Sequence, residues 1–156
     1  MRVGVISDTH NYLDPGIAGI FNGVTHILHA GDIGQPKILL DLENIAPVTA
    51  VGGNTDDLHF RYSMTESVVL DGRRLLLHHI IQPRQLPDFL RARIAKENVR
   101  IVVFGHTHKP FCETIQGTLF FNPGYAGKSR FGMERTVAIL NFESDTVRPE
   151  YIRLTP

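Results

Sequence analysis

The stretch Ile101–Pro110, IVVFGHTHKP, decides how the rest of this chain is read. Four apolar residues, Ile101 to Phe104, form a run suited to a strand buried on both faces. It breaks at Gly105 and at once presents two histidines, His106 and His108, two positions apart. Working outward, the same arrangement recurs. RVGVIS (Arg2–Ser7) runs into Asp8 and His10, THILHA (Thr25–Ala30) into Asp32, and PVTAV (Pro47–Val51) into Asn54 and Asp56. The segment SVVLDGRRLLLHH reads as a hairpin turning at Asp71-Gly72, and its second arm ends in His78 and His79.

Helical segments separate these strands. A short helix is expected near Pro15–Phe21. Pro36 suits a first helical position ahead of an apolar stripe at Ile38, Leu39 and Leu42, and Leu86, Phe89, Leu90 and Ile94 mark a further amphipathic helix. The later runs, CETIQGTLFF, TVAILNF and VRPEYIRL, are broken by Gly, Pro or polar residues and suggest a mostly antiparallel section. Strand–helix alternation followed by a run of strands implies an α/β fold with a mixed or two-sheet core.

Ligands of open α/β sheets bind beyond the carboxyl ends of the strands, so residues a hundred positions apart converge there. Taken singly, Asp8 or Asp32 reads as an ordinary turn residue, and a lone histidine as a hydrogen-bonded surface or core group. His26 and His59 belong to that class. Five strand ends in register are another matter, because chance would have to place each one. A mixed set of imidazole, carboxylate and amide suits Mn²⁺, Fe²⁺, Zn²⁺ or Ni²⁺; Cu(I) wants thiolates and Ca²⁺ wants oxygens only. Gly31, Gly52, Gly53 and Gly105 let the backbone turn tightly beside such a site.

The bulk numbers narrow the class. At 156 residues, with no linker, repeat or low-complexity tract, one domain spanning 1–156 is expected. A formal net charge of zero points to neither nucleic acid nor an anionic membrane as partner. The single cysteine, Cys112, suits a reducing compartment, and neither a signal peptide nor an apolar run near 18 residues is present, so a cytoplasmic location is expected. A homo-oligomer is left open.

The ordered motifs D-x-H (Asp8, His10), G-D (Asp32), G-N-x-D (Asn54, Asp56), a lone His, and G-H-x-H (His106, His108) resemble the calcineurin-like metallophosphoesterase superfamily. FNPGY (Phe121–Tyr125) is close to the N-P-G-S of its short bacterial and archaeal phosphodiesterases. The likeness spans Asp8 to Tyr125 and loosens beyond it. It implies a two-sheet mixed β-sandwich flanked by helices in four αββα layers. It also implies two divalent ions, Mn²⁺ first, with Ni²⁺, Fe²⁺, Zn²⁺ and Mg²⁺ as alternatives. Asp8, His10, Asp32 and His108 would hold one ion; Asp32 (bridging), Asn54, His79 and His106 would hold the other. Asp32, Asn54 and His106 are then the candidates for catalytic as well as ligand roles. The implied reaction is hydrolysis of a small or nucleotide-like phosphodiester by a metal-bridging hydroxide.

Three departures bear on the activity. Many large members carry G-N-H, where this chain has Thr55, which weighs against monoester or protein phosphatase activity. The T-H-G around the lone His is here HHI, and N-P-G-S ends in Tyr125. Because alternate strand residues face opposite sides, only one of His78 and His79 can enter the crevice. Counted from the Asp71-Gly72 turn, the short phosphodiesterases this chain resembles carry a Thr and then the ligating His, which implies His79, with His78 as the alternative. Lys128 and Arg130 are candidates for touching a phosphate, though loop cations are more often solvated. The competing class is a non-catalytic scaffold resembling the retromer subunit of this fold. That subunit lacks the His of D-x-H, whereas His10 and every other ligand position are filled here. With no long insertion to form a lid, an open site is expected.

Overall fold

The computed structural model describes all 156 residues. Ten strands form two five-stranded sheets. In the first, β1 (Arg2–Ile6), β2 (His26–His29) and β3 (Val48–Ala50) run parallel, and β9 (Thr136–Phe142) and β10 (Val147–Arg153) continue antiparallel from β1 in the order β10-β9-β1-β2-β3. The second comprises β4 (Thr65–Leu70), β5 (Arg73–His78), β6 (Ile101–Val103), β7 (Phe111–Ile115) and β8 (Thr118–Asn122) in the order β4-β5-β6-β8-β7. Its centre, β5-β6-β8, is parallel, and its edges are closed by the antiparallel hairpins β4-β5 and β7-β8. The expected antiparallel tail is therefore interrupted, because β8 joins the parallel set beside β6.

Period-two alternation puts these sheets face to face. Val3 and Val5 of β1, Leu28 of β2, Leu75 and Leu77 of β5, Val103 of β6, Phe121 of β8 and Leu140 of β9 make one core between the sheets. The opposite parity covers the outer faces. Ile6, Ile27 and Ile139 pack under α1 (Ile17–Ile20) and α2 (Lys37–Glu43), while Leu76, Val102 and Phe120 pack under α3 (Asp88–Glu97) through Leu90. The result is the expected four-layer αββα sandwich. β3 lies at a sheet edge and is only half-buried, unlike the fully covered strand that PVTAV suggests. No helix is long and apolar enough to cross a membrane.

The parallel strands β1, β2 and β3 of one sheet and β5 and β6 of the other end at the same edge of the sandwich. The loops that leave them carry Asp8, His10, Asp32, Asn54, His79, His106 and His108.

Candidate metal centre

The floor of the site consists of Asp8, Asp32 and His79, at 0%, 3% and 2% exposure. Around it, the His10 and His108 side chains are 20% and 24% exposed, and Asn54 and His106 form an open rim. Burying two carboxylates is costly unless each oxygen finds a partner. Asp8 Oδ2 accepts from Ser7 Oγ at 2.7 Å and from the His106 N–H at 3.2 Å. Asp32 Oδ1 accepts from the Thr55 N–H at 2.9 Å. The other oxygen of each carboxylate turns toward the imidazoles. Asp8 Oδ1 lies 3.3 Å from His108 Nε2 and 3.9 Å from both His10 Nε2 and His79 Nε2. Asp32 Oδ2 lies 3.2 Å from His79 Nε2 and 3.7 Å from His10 Nε2.

Two atoms settle what this arrangement is suited to. Asp8 Oδ1 and His79 Nε2 are buried and have no hydrogen-bond partner. His79 Nδ1 is 2.7 Å from the Ala30 carbonyl, so it carries the proton and leaves the Nε2 lone pair facing the carboxylates. His10 Nε2 and His108 Nε2 approach within 3.4 Å. Lone pairs and anionic oxygens converging on a buried spot are satisfied by a cation. Two groups have ligand atoms mutually within 4.8 Å, Asp8–His10–His108 and Asp8–Asp32–His79. His106 and Asn54 meet on the rim, Nδ1 to Oδ1, at 3.0 Å.

The same spot also draws a proton. Burial opposes charging the His79 ring, but Asp32, Asp8 and the Ala30 carbonyl outweigh it and raise its pKa. Burial pushes the Asp32 carboxyl up, yet His79 and the Thr55 N–H hold it well below the usual carboxylate range. His10 moves the other way, its pKa lowered mainly by burial against the pull of Asp32 and Asp8. The pocket thus stabilises positive charge at its floor and keeps a neutral imidazole at its rim.

The backbone is shaped to the same end. Asp8, His10, Asp32, His106 and His108 have φ of 56°, 45°, 52°, 67° and 59°. The left-handed region costs a non-glycine residue roughly 1 kcal/mol or more and clusters at functional sites. These strand ends bend sharply to aim side chains at one point. Gly31 has φ +104°, and a Cβ there would come within 2.5 Å of His79 Nδ1. A Cβ on Gly105 would lie 2.7 Å from Asp8 Oδ2.

All seven expected positions therefore lie together. His79 continues the inward parity of Leu75 and Leu77, whereas His78 faces outward, with Nδ1 2.8 Å from Thr65 Oγ1 and its ring 5.9 Å from Phe89 of α3. Asp56 does not join the cluster: its carboxylate accepts from the backbone N–H of Ile33 (3.1 Å), Gly34 (2.8 Å) and Gly53 (2.8 Å), tying the Asp32 loop to the Asn54 loop. Asn122 and His29 support the site in roles the sequence did not show. Asn122 Nδ2 donates to the Gly105 carbonyl (2.9 Å) and to Thr107 Oγ1 (3.1 Å), and so braces the G-H-T-H loop; the N-P-G segment was its signal. His29, fully buried, accepts from the Gly31 N–H at Nδ1 (3.2 Å) and bonds Thr9 Oγ1 through Nε2 (2.9 Å). Burial holds its pKa down to about 3.

A two-sheet αββα sandwich with Asp, His and Asn at its strand ends has a metallophosphoesterase-type fold. The sequence profile of the calcineurin-like phosphoesterase superfamily domain matches residues 1–145, and the chain belongs to that superfamily. It is 32% identical to a probable metallophosphoesterase of Methanothermobacter thermautotrophicus, over 98% of this chain and 92% of that protein. It is 28% identical to a phosphodiesterase of Methanocaldococcus jannaschii, over 97% of this chain and 96% of that one. Among solved structures it resembles an archaeal phosphodiesterase with a TM-score of 0.77 at 26% identity, covering 97% and 100% of the two chains. Vps29 of Entamoeba histolytica shares the fold, with a TM-score of 0.75 at 21% identity over 99% of this chain and 100% of that chain.

Proposed function

We propose that this protein is a binuclear metal-dependent phosphodiesterase acting on a small or nucleotide-like phosphodiester. The observation that carries the reading is the pair of unpartnered buried atoms, Asp8 Oδ1 and His79 Nε2, set 3.9 Å apart among two more imidazoles and a second carboxylate. Asp8, His10, Asp32 and His108 would hold one divalent ion, and Asp32, Asn54, His79 and His106 the other. Asp32 would serve both, its Oδ2 facing His79 at 3.2 Å and His10 at 3.7 Å. The family resemblance puts Mn²⁺ first; the imidazole, carboxylate and amide donors suit Ni²⁺, Fe²⁺ and Zn²⁺ equally, with Mg²⁺ as a further alternative.

Such ions supply Lewis acidity toward phosphoryl oxygens and lower the pKa of water near neutral pH. The chain's own groups do the positioning. Ala30 fixes the His79 tautomer, and Thr55 fixes the Asp32 carboxylate. The open rim at Asn54 and His106 admits the ester. Thr55 stands where large family members place a histidine that assists the leaving group. Its hydroxyl lies 3.5 Å from His10 Nδ1 and offers no comparable acid, which favours diesters over monoesters.

The test is to strip the protein of metal, reload it with each ion, and screen activated mono- and diesters. Metal-dependent diester turnover supports the reading, and none with any ion refutes it. The second reading, a protein-interaction scaffold with an intact site, has the Vps29 fold likeness behind it. It expects metal binding without turnover.

A further inference from the structure

The wall of the site beside His10 and His108 is built by the loop that follows β8, and Tyr125 is its centre. Tyr125 is fully buried, with its ring 4.8 Å from the His108 ring and 6.1 Å from that of His10. Its hydroxyl is spent inside its own loop, donating to the Lys128 carbonyl at 2.9 Å. Arg135 pins the base of this loop, donating to the Gly127 and Thr155 carbonyls and to Asp14. Arg130 is arranged differently. Its guanidinium stands 5.6 Å from the Tyr125 ring centroid and has neither a carboxylate nor a carbonyl partner. A turn closed by the Met133 N–H on the Arg130 carbonyl, with Gly132 at φ +73°, holds the residue at the loop's shoulder.

We propose that Arg130, stacked on Tyr125 at the mouth of the metal centre, is the residue that grips a phosphoryl oxygen of the substrate. The inference rests on the phosphodiesterase reading. A phosphodiester spreads one negative charge over two non-bridging oxygens, and the planar guanidinium fork matches that pair. Asp8 and Asp32 repel an incoming anion, so a cation held on Tyr125, whose ring adjoins His108, has an electrostatic task to share with bound ions. Stacking on Tyr125 limits the freedom Arg130 would lose on gripping its ligand. Tyr125, where the family motif has serine, thus supplies an aromatic platform carrying a charge. Lys128 lends Tyr125 only its backbone carbonyl and serves as the control.

The experiment compares wild type, Arg130→Gln, Arg130→Lys and Lys128→Ala, each reloaded with Mn²⁺. Bound metal is measured by elemental analysis, orthophosphate binding by calorimetry, and diester kcat and KM separately. Arg130→Gln should keep its metal content while its phosphate dissociation constant and KM rise roughly tenfold, the size of one charge-assisted hydrogen bond at an exposed position. Arg130→Lys should recover part of the loss, and Lys128→Ala should match wild type. Unchanged phosphate binding in Arg130→Gln at full metal content overturns the proposal. So does a wild type that binds metal but no orthophosphate. If wild type binds orthophosphate yet cleaves no ester, the hydrolase reading falls, and the binding comparison still decides the role of Arg130.

Discussion

Asp56 offers the sharpest test of the architecture, because it sits among the ligands in sequence and outside them in space. Its carboxylate takes three backbone N–H groups, those of Ile33, Gly34 and Gly53, at 2.8 to 3.1 Å. A hydrogen bond to a charged acceptor contributes about 1.5–3 kcal/mol, but this carboxylate is half-buried and water can enter in its place. Discounting to about 1 kcal/mol each gives about 3 kcal/mol for Asp56→Ala. At about 2–4 °C per kcal/mol for a chain of this size, Tm should fall by roughly 6–12 °C. Asp56→Asn keeps one acceptor oxygen and should lose less. The assay is denaturant unfolding followed by circular dichroism in the presence of a chelator, so that no bound ion contributes, with metal stoichiometry measured separately. If chelated Asp56→Ala is as stable as wild type while the reloaded variant lacks an ion, Asp56 is a ligand and the brace assignment is wrong.

Asp32→Asn should lower diester turnover by roughly a hundredfold or more with an unchanged circular dichroism spectrum, since one carboxylate serves both ions; near-wild-type turnover refutes the shared-ligand assignment. His79→Ala should fall from about two bound ions toward one, and His78→Ala should retain both; the reverse by elemental analysis would move the ligand to His78. Diester turnover should exceed monoester turnover at matched leaving group, and a faster monoester would show that a group other than Thr55 supplies the acid. His29 should stay neutral as pH falls from 7 to about 5, which its ring proton shifts in NMR will show. Because its folded pKa is about 3 and its ordinary value 6.5, the unfolded chain binds that proton first, so its contribution to stability is whole above 6.5 and drains away toward 3.

The strand ends were legible because each is a short apolar run broken by a polar residue, a pattern that needs no tertiary knowledge. Parity said that only one of His78 and His79 could enter the crevice, and the family's spacing from the Asp71-Gly72 turn chose His79, which continues the face of Leu75 and Leu77. What was not legible depends on distances across the chain. Asp56 looks like one more strand-end ligand until the Asp32 loop arrives to claim its oxygens. PVTAV reads as a covered strand because its residues cannot report that β3 has no neighbour on one side. His29 looks like an ordinary histidine within a strand, and only the approach of Thr9 and the turn at Gly31 fix its tautomer. Tyr125 read as a departure from a motif; its place beside His108 and under Arg130 became visible only with the loop folded.

The strand order of the first sheet sets a timetable for the finished site. β1 leads that sheet, yet its partner on one side is β9, so Gly4 must wait for Ile139. A chain emerging from the ribosome displays Asp8, His10, Asp32 and Asn54 long before the strand that seats β1 has been made. His79, His106 and His108 belong to the loops of the other sheet, which meets the first only when the shared core closes. All seven donors have been made by His108, yet their seating waits for β9 and for the shared core to close. On the proposed reading, metal loading would belong to the completed molecule.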